Sequence, residues 1–153
     1  MLRVTKLTDY ATVVLTALAA RPDAVLSAPE LAEQAGLEVP TVAKVLKPLA
    51  AAGLVEGFRG ANGGYRLARP AAAIGLVEIV EAMEGPLAMT ECSGHEGQCD
   101  IAHSCGARAN WRRINDVVAD ALRRVSLAEM ALPPAADDAL APRRAIPLAL
   151  TAG

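Results

Sequence analysis

Residues 27–68, SAPELAEQAGLEVPTVAKVLKPLAAAGLVEGFRGANGGYRLA, decide the fold. Ser27 stands three residues before Glu30, the spacing of a capping box, and Pro29 falls in the first turn, where a missing N–H is harmless. The short helix begun there stops at Gly36. After a turn through Leu37, VPTVAKVLKPLAAAG reads as a second helix that ends at Gly53. Two helices joined at a glycine make a helix-turn-helix. LVEGFR and GYRLA follow as short β-like runs, and GANGG between them supplies the turn residues of a hairpin. A hairpin directly behind a helix-turn-helix is the layout of a winged helix. The expected fold is therefore mainly α with a small β-hairpin wing.

A generic helical domain with a surface hairpin is the plainer alternative. Against it, the second helix carries Lys44 and Lys47, and the hairpin carries Arg59, Arg66 and Arg69. Such cations meet phosphates when a helix enters a major groove and a hairpin tip a minor one. Pro48 cannot donate to the carbonyl of Lys44, so a bend is expected there, while the segment from Thr41 to Lys47 precedes it.

Working outward, LTDYATVVLTALAA (residues 7–20) repeats apolar residues at helical spacing, with Thr8 as its expected N-cap. AIGLVEIVEAMEGP is another amphipathic helix, with Ile74, Val77, Ile79, Val80 and Met83 on one side and glutamates on the other. ANWRRINDVVADALRRVSLAEM reads as one long helix with an apolar stripe at Trp111, Ile114, Val118, Ala121, Leu122 and Val125. Such a stripe packs on its own domain or on the same helix of a second copy; two-fold symmetric DNA reading favours the second copy. The expected division is a winged helix-turn-helix over 1–84, a cysteine-rich loop over 85–107, a dimerisation helix over 108–130 and a flexible tail over 131–153.

Composition narrows the function classes. Apolar residues make up 53% of the 153, but there are only one Phe, one Trp and two Tyr, so aliphatic side chains on helices must build the core. No apolar run reaches the roughly eighteen residues a membrane span needs. The N-terminus has no signal-peptide layout, so a cytoplasmic protein is expected. Net charge is −2, yet residues 1–70 carry eight Lys or Arg against six acids, and residues 71–110 one against six. The basic excess lies on the winged helix and the acidic excess around the cysteines.

All three cysteines and both histidines fall in ECSGHEGQCDIAHSC, residues 91–105. In a reducing compartment, clustered cysteines read as metal ligands rather than disulfides, and an odd count cannot pair fully within one chain. Three thiolates suit an iron–sulfur cluster with a fourth, more labile ligand, and they also suit zinc with a histidine. The absence of a C-x-x-C pair argues against a carrier or thiol enzyme. No enzyme activity is expected.

Five segments together resemble the Rrf2 family of winged-helix regulators over about residues 1–130. They are LRVTKLTDYATVVL, LAEQAGLEVPTVAKVLKPLAAAGLV, RGANGGYRLA, IGLVEIVEAMEGP, and the three-cysteine loop leading into NWRRINDVVADALRRVSLAEM. The family includes IscR-like and NsrR-like members, and the match is closest to regulators of the SUF iron–sulfur assembly system. The resemblance implies a homodimer with crossed C-terminal helices. It also implies an iron–sulfur cluster on Cys92, Cys99 and Cys105, with [2Fe–2S] favoured over [4Fe–4S]. The cysteine spacing is six residues and then five, where five and five is usual. The position of the IscR-like histidine ligand holds Arg108, which cannot ligate. The NsrR-like carry-over points to Asp9 from the partner chain as fourth ligand, with His103 as second choice. On operator DNA the implied contacts are Thr41 and Lys44 on base edges, Lys47 and Tyr65 on the backbone, and Arg59 in the minor groove. Ala43 replaces a glutamate used in base discrimination by IscR-like proteins, so the operator should differ. The implied function is an iron–sulfur-sensing repressor of SUF genes. A nitric-oxide or redox sensor of the same family, or a DNA-binding protein with structural zinc, are the alternatives.

Overall fold

The computed structural model describes residues 3–91, 93 and 104–132. Helix α1 (Lys6–Ala19) is capped by Thr5, whose hydroxyl accepts the Thr8 N–H at 3.4 Å. Thr8, the expected cap, instead lies buried in the first turn, and its own hydroxyl donates to Glu84. Helix α2 (Ala28–Ala35) begins with the capping box as expected. The Ser27 hydroxyl accepts the Glu30 N–H at 3.4 Å, and the Glu30 carboxylate accepts the Ser27 N–H at 2.8 Å. Gly36, at φ +64°, turns the chain towards α3 (Val39–Ala51), a conformation side-chain-bearing residues rarely adopt. Helix α3 continues through Pro48 to Ala51, so the proline does not end it.

Strands β1 (Val55–Phe58) and β2 (Gly64–Leu67) pair antiparallel, Val55 opposite Leu67 and Phe58 opposite Gly64. Leu26, just ahead of α2, extends this wing by two backbone bonds with Tyr65, of 2.9 and 2.8 Å. The approach is so close that a Cβ on Gly64 would run into the Leu26 carbonyl, which is why that position needs glycine. The wing is thereby fastened to the start of the helix-turn-helix.

Helix α1 forms the centre of the core. Its Val14, Leu15 and Leu18 pack with Leu31 of α2, with Val42, Val45, Leu46 and Leu49 of α3, and with Ile79 of α4 (Leu76–Glu84). The long C-terminal helix expected over residues 108–130 is divided. Helix α5 (Arg108–Arg123) ends, Ser126 takes an extended conformation, and α6 (Leu127–Ala131) starts behind a second capping box formed by Ser126 and Glu129. The break is held open by backbone pairing with the segment before α4. The Leu76 N–H donates to the Val125 carbonyl and the Leu127 N–H to the Ile74 carbonyl, both at 2.8 Å. A straight helix would forfeit these bonds and leave Leu127 outside; in the structure Leu127 is fully buried in the core. The motif S-L-A-E carries the same signal that located α2. Residues 133–153, expected as a flexible tail, lie outside the described residues. None of the helices among the described residues is long and apolar enough to cross a membrane.

Leu127 is as fully buried as the leucines of α1 and α3, so truncating it should cost as much as truncating one of them. Leu127→Ala is expected to lower unfolding free energy by about 3 kcal/mol, measured by urea denaturation. A loss within experimental error would mean that α6 is not part of the cooperative core.

Candidate functional site

Helix α3 buries Val42, Val45, Leu46 and Leu49, and that face fixes what its other side presents. Ala43, Lys44 and Lys47 are exposed there, and Thr41 is half-buried at its first turn. The hairpin tip, from Arg59 to Asn62, is exposed. The three wing arginines are not equivalent. Arg66 pairs with Glu56 across the strands at 3.2 Å, its guanidinium 4.8 Å from the centre of the Phe58 ring. Arg69 pairs with Glu78 at 2.6 Å and donates to the Ala73 carbonyl at 3.1 Å. Both were expected to meet phosphates; both are engaged within the protein. Arg59 makes no ion pair among the described residues. Tyr65 is half-buried, its backbone bonded to Leu26 and its ring against Gly57.

The cysteine loop enters and leaves beside α5. Asn115, 8% exposed, accepts the Met89 N–H at 3.1 Å and donates to the Leu87 carbonyl at 3.2 Å. It therefore ties the entry of the loop to the second turn of α5. Sequence reasoning missed this residue; its one signal was a polar amide beside the apolar stripe. A turn follows in which the Ser93 N–H donates to the Thr90 carbonyl at 3.0 Å, and Ser93 borders a hollow with Arg112 and Asn115. At the exit Cys105 is a half-buried free thiol, and the Arg108 N–H donates to its carbonyl at 3.4 Å. Cys92, Cys99, His95 and His103 lie outside the described residues.

Asp9 is exposed in the first turn of α1. It borders a largely apolar groove of about 560 Å³, shared with Gly85, Pro86 and Leu87 at the start of the loop and with Val118 and Leu122 of α5. Beside it, Glu84 at the end of α4 accepts the Thr5 N–H at 2.6 Å and the Thr8 hydroxyl. One carboxylate thus joins the beginning of α1 to the residue before the loop. On the outer face of α5, Trp111, Ile114 and Val117 are 38%, 42% and 64% exposed. Val118 and Leu122 of the expected stripe instead turn half-buried into the groove, and Val117 was not foreseen on the open face.

A winged helix with an appended helix and a cysteine loop between them invites comparison with known regulators. The Rrf2 family, described as iron-dependent transcriptional regulators, matches residues 4–132. The chain belongs to this family. It is a transcriptional regulator of a DNA-binding class, and the family's members are not enzymes. Protein aau3 of Rhizobium meliloti (strain 1021) is 42% identical over 113 residues, 73% of each chain. The HTH-type transcriptional regulator IscR of Erwinia tasmaniensis is 30% identical over 101 residues, covering 66% of this chain and 61% of that protein. Among solved structures, CymR, the global cysteine regulator of B. subtilis, superposes with a TM-score of 0.66 at 28% identity, over 86% of this chain and 97% of its own. The IscR of T. potens gives 0.62 at 27%, over 84% and 85%. The helical fold with a two-stranded wing agrees with these structures.

The Glu84 bridge has a definite pH signature in any Rrf2 protein built this way. The Thr8 hydroxyl and then the Thr5 N–H hold its carboxyl below the ordinary value of 4.5. A depressed folded value means that its contribution is complete above about pH 4.5 and is lost as pH falls through the folded value. Glu84→Gln should therefore lower the thermal midpoint at neutral pH, and the two curves should converge in acid. Coincident curves at every pH would show that the bridge contributes nothing.

Proposed function

We propose that this Rrf2 protein senses iron–sulfur status and represses genes of SUF-type iron–sulfur assembly while its cluster is intact. The observation that carries the reading is the placement of all three cysteines in one loop held on α5, immediately before the helix whose open face suits a second copy. The described part of the donor set fits: Cys105 is a free, half-buried thiol, and Asp9 is an exposed carboxylate with no ion pair among the described residues. Cys92, Cys99 and Cys105 would hold a cluster, [2Fe–2S] favoured over [4Fe–4S], with Asp9 of the partner chain or His103 as fourth ligand. An oxygen or histidine ligand among thiolates gives such a group a labile site, suited to iron, oxygen or nitric oxide.

The chain's own residues supply the rest. Trp111, Ile114 and Val117 form an apolar face that a two-fold partner would cover, giving the homodimer. Asn115 makes the loop and α5 move together, so the state of the loop bears on the pairing of the two α5 helices and on the spacing of the two α3 helices. On DNA, Thr41 and Lys44 reach base edges, Lys47 and the Tyr65 hydroxyl contact the backbone, and Arg59 enters the minor groove. The similarity to CymR favours a second reading, a regulator of cysteine metabolism. The three-cysteine spacing is what sets the cluster reading above it.

Purification without oxygen should give a coloured protein with iron and acid-labile sulfide in equal amounts, and Cys105→Ser or Asp9→Ala should bleach or destabilise it. A colourless protein with stoichiometric zinc would overturn the sensor reading. An unchanged spectrum in Asp9→Ala would move the fourth ligand to His103. For DNA, Lys47→Ala removes one contact in each half of the dimer and should weaken binding to every duplex and reduce the salt slope by about 1.8, whereas Lys44→Ala should change which sequences are preferred. Salt-indifferent binding would refute the DNA contacts.

A further inference from the structure

The wing of this protein is braced against the far end of α5 through a short chain of polar contacts. Arg69 lies two residues beyond β2. Its two terminal nitrogens divide their bonds: one reaches Glu78 of α4 at 2.6 Å, the other the Ala73 carbonyl at 3.1 Å. The second oxygen of the same glutamate accepts the Gly75 N–H at 3.0 Å. Burial pushes the Glu78 carboxyl up, but the Gly75 N–H and the Arg69 guanidinium outweigh it and keep it ionised. Residues 73–75 are thus gripped from the wing side. From the other side they are gripped by the joint between α5 and α6. The Leu127 N–H donates to the Ile74 carbonyl and the Leu76 N–H to the Val125 carbonyl, and Gly75 lies against the backbone of Arg123.

We propose that Arg69 and Glu78 are positioning residues for DNA recognition, setting the wing and its Arg59 tip at a fixed place relative to the C-terminal end of α5. The inference rests on the DNA-binding reading above and assigns Arg69 a role other than phosphate contact. A half-exposed ion pair of this kind adds little to stability. Its consequence is geometric: it couples the wing to the one element that both halves of a dimer would share. Arg59, with no ion pair of its own among the described residues, depends on that placement to reach the groove.

The sign of the Glu78→Gln effect separates this from simple electrostatics. Glutamine keeps an acceptor for the Gly75 N–H but gives up the charge that holds Arg69. If only charge mattered, removing an acid near DNA would tighten binding; positioning predicts that it loosens. The probe is a fluorescently labelled duplex enriched from random-sequence DNA by the wild-type protein, titrated by anisotropy over a series of salt concentrations. Glu78→Gln and Arg69→Ala should each weaken binding about tenfold, by the same factor as the loss of the Arg59 contact. Arg59→Ala should cost about tenfold in the wild-type background but less than about twofold in either variant, because the contact is already lost. Tighter binding by Glu78→Gln would overturn the proposal. A full, additive Arg59 penalty would do the same. Should Arg69→Ala unfold, Glu78→Gln decides alone. If no duplex is enriched, or binding ignores salt, the DNA-binding reading falls and the inference with it.

Discussion

Two backbone hydrogen bonds decide how the halves of this molecule relate. Where Val125 and Leu127 pair with Leu76 and Ile74, the chain leaving α5 is turned back onto the winged helix, and Leu127 enters the core beside α1. Those N–H and carbonyl groups sit where a continuous helix would have used them internally, so the pairing has to replace the helical bonds it displaces. Ser126 and Glu129 complete that replacement by capping the new helix. With this joint in place α5 has a defined direction relative to α3 and the wing. Together with Asn115 and the packing of Val118 and Leu122, it fixes both ends of α5 on the rest of the protein.

The same economy governs the charges. Glu78 caps Gly75 while holding Arg69, and Glu84 binds Thr5 and Thr8 at the start of α1. Arg66 pairs with Glu56. These acids and arginines look alike in the sequence, yet they leave Lys44, Lys47 and Arg59 as the exposed cations of α3 and the wing without an ion pair among the described residues. The exposed charge of α3 and the wing is set as much by subtraction of paired groups as by placement of unpaired ones.

The loop follows a related logic at its ends. Asn115 is a buried amide whose donor and acceptor are both used, and it fastens Leu87 and Met89 to α5. Cys105 then stands only three residues before α5 begins. A residue held this way is coupled to the helix that follows it, so the two described ends of the loop are both fixed to α5.

Much of the architecture was legible because its determinants are local. The Ser27–Glu30 box, Pro29, Gly36 and the GANGG turn act within a few residues, and the alternation of apolar positions follows from helix geometry alone. The family likewise followed from contiguous motifs. What could not be read were pairings between distant residues: Arg69 with Glu78, Glu84 with Thr8, Asn115 with Met89, and the backbone exchange that divides the C-terminal helix. Local propensity over residues 108–130 favours one helix, and only the gain from burying Leu127 and pairing Val125 decides for two. By itself the sequence determined the helices and the hairpin of the winged helix and the crowding of the cysteines into one segment, since those depend on near neighbours. The tertiary structure alone decided which charges remain free and how the wing is set against α5, because both depend on groups that meet only after the chain has closed on itself.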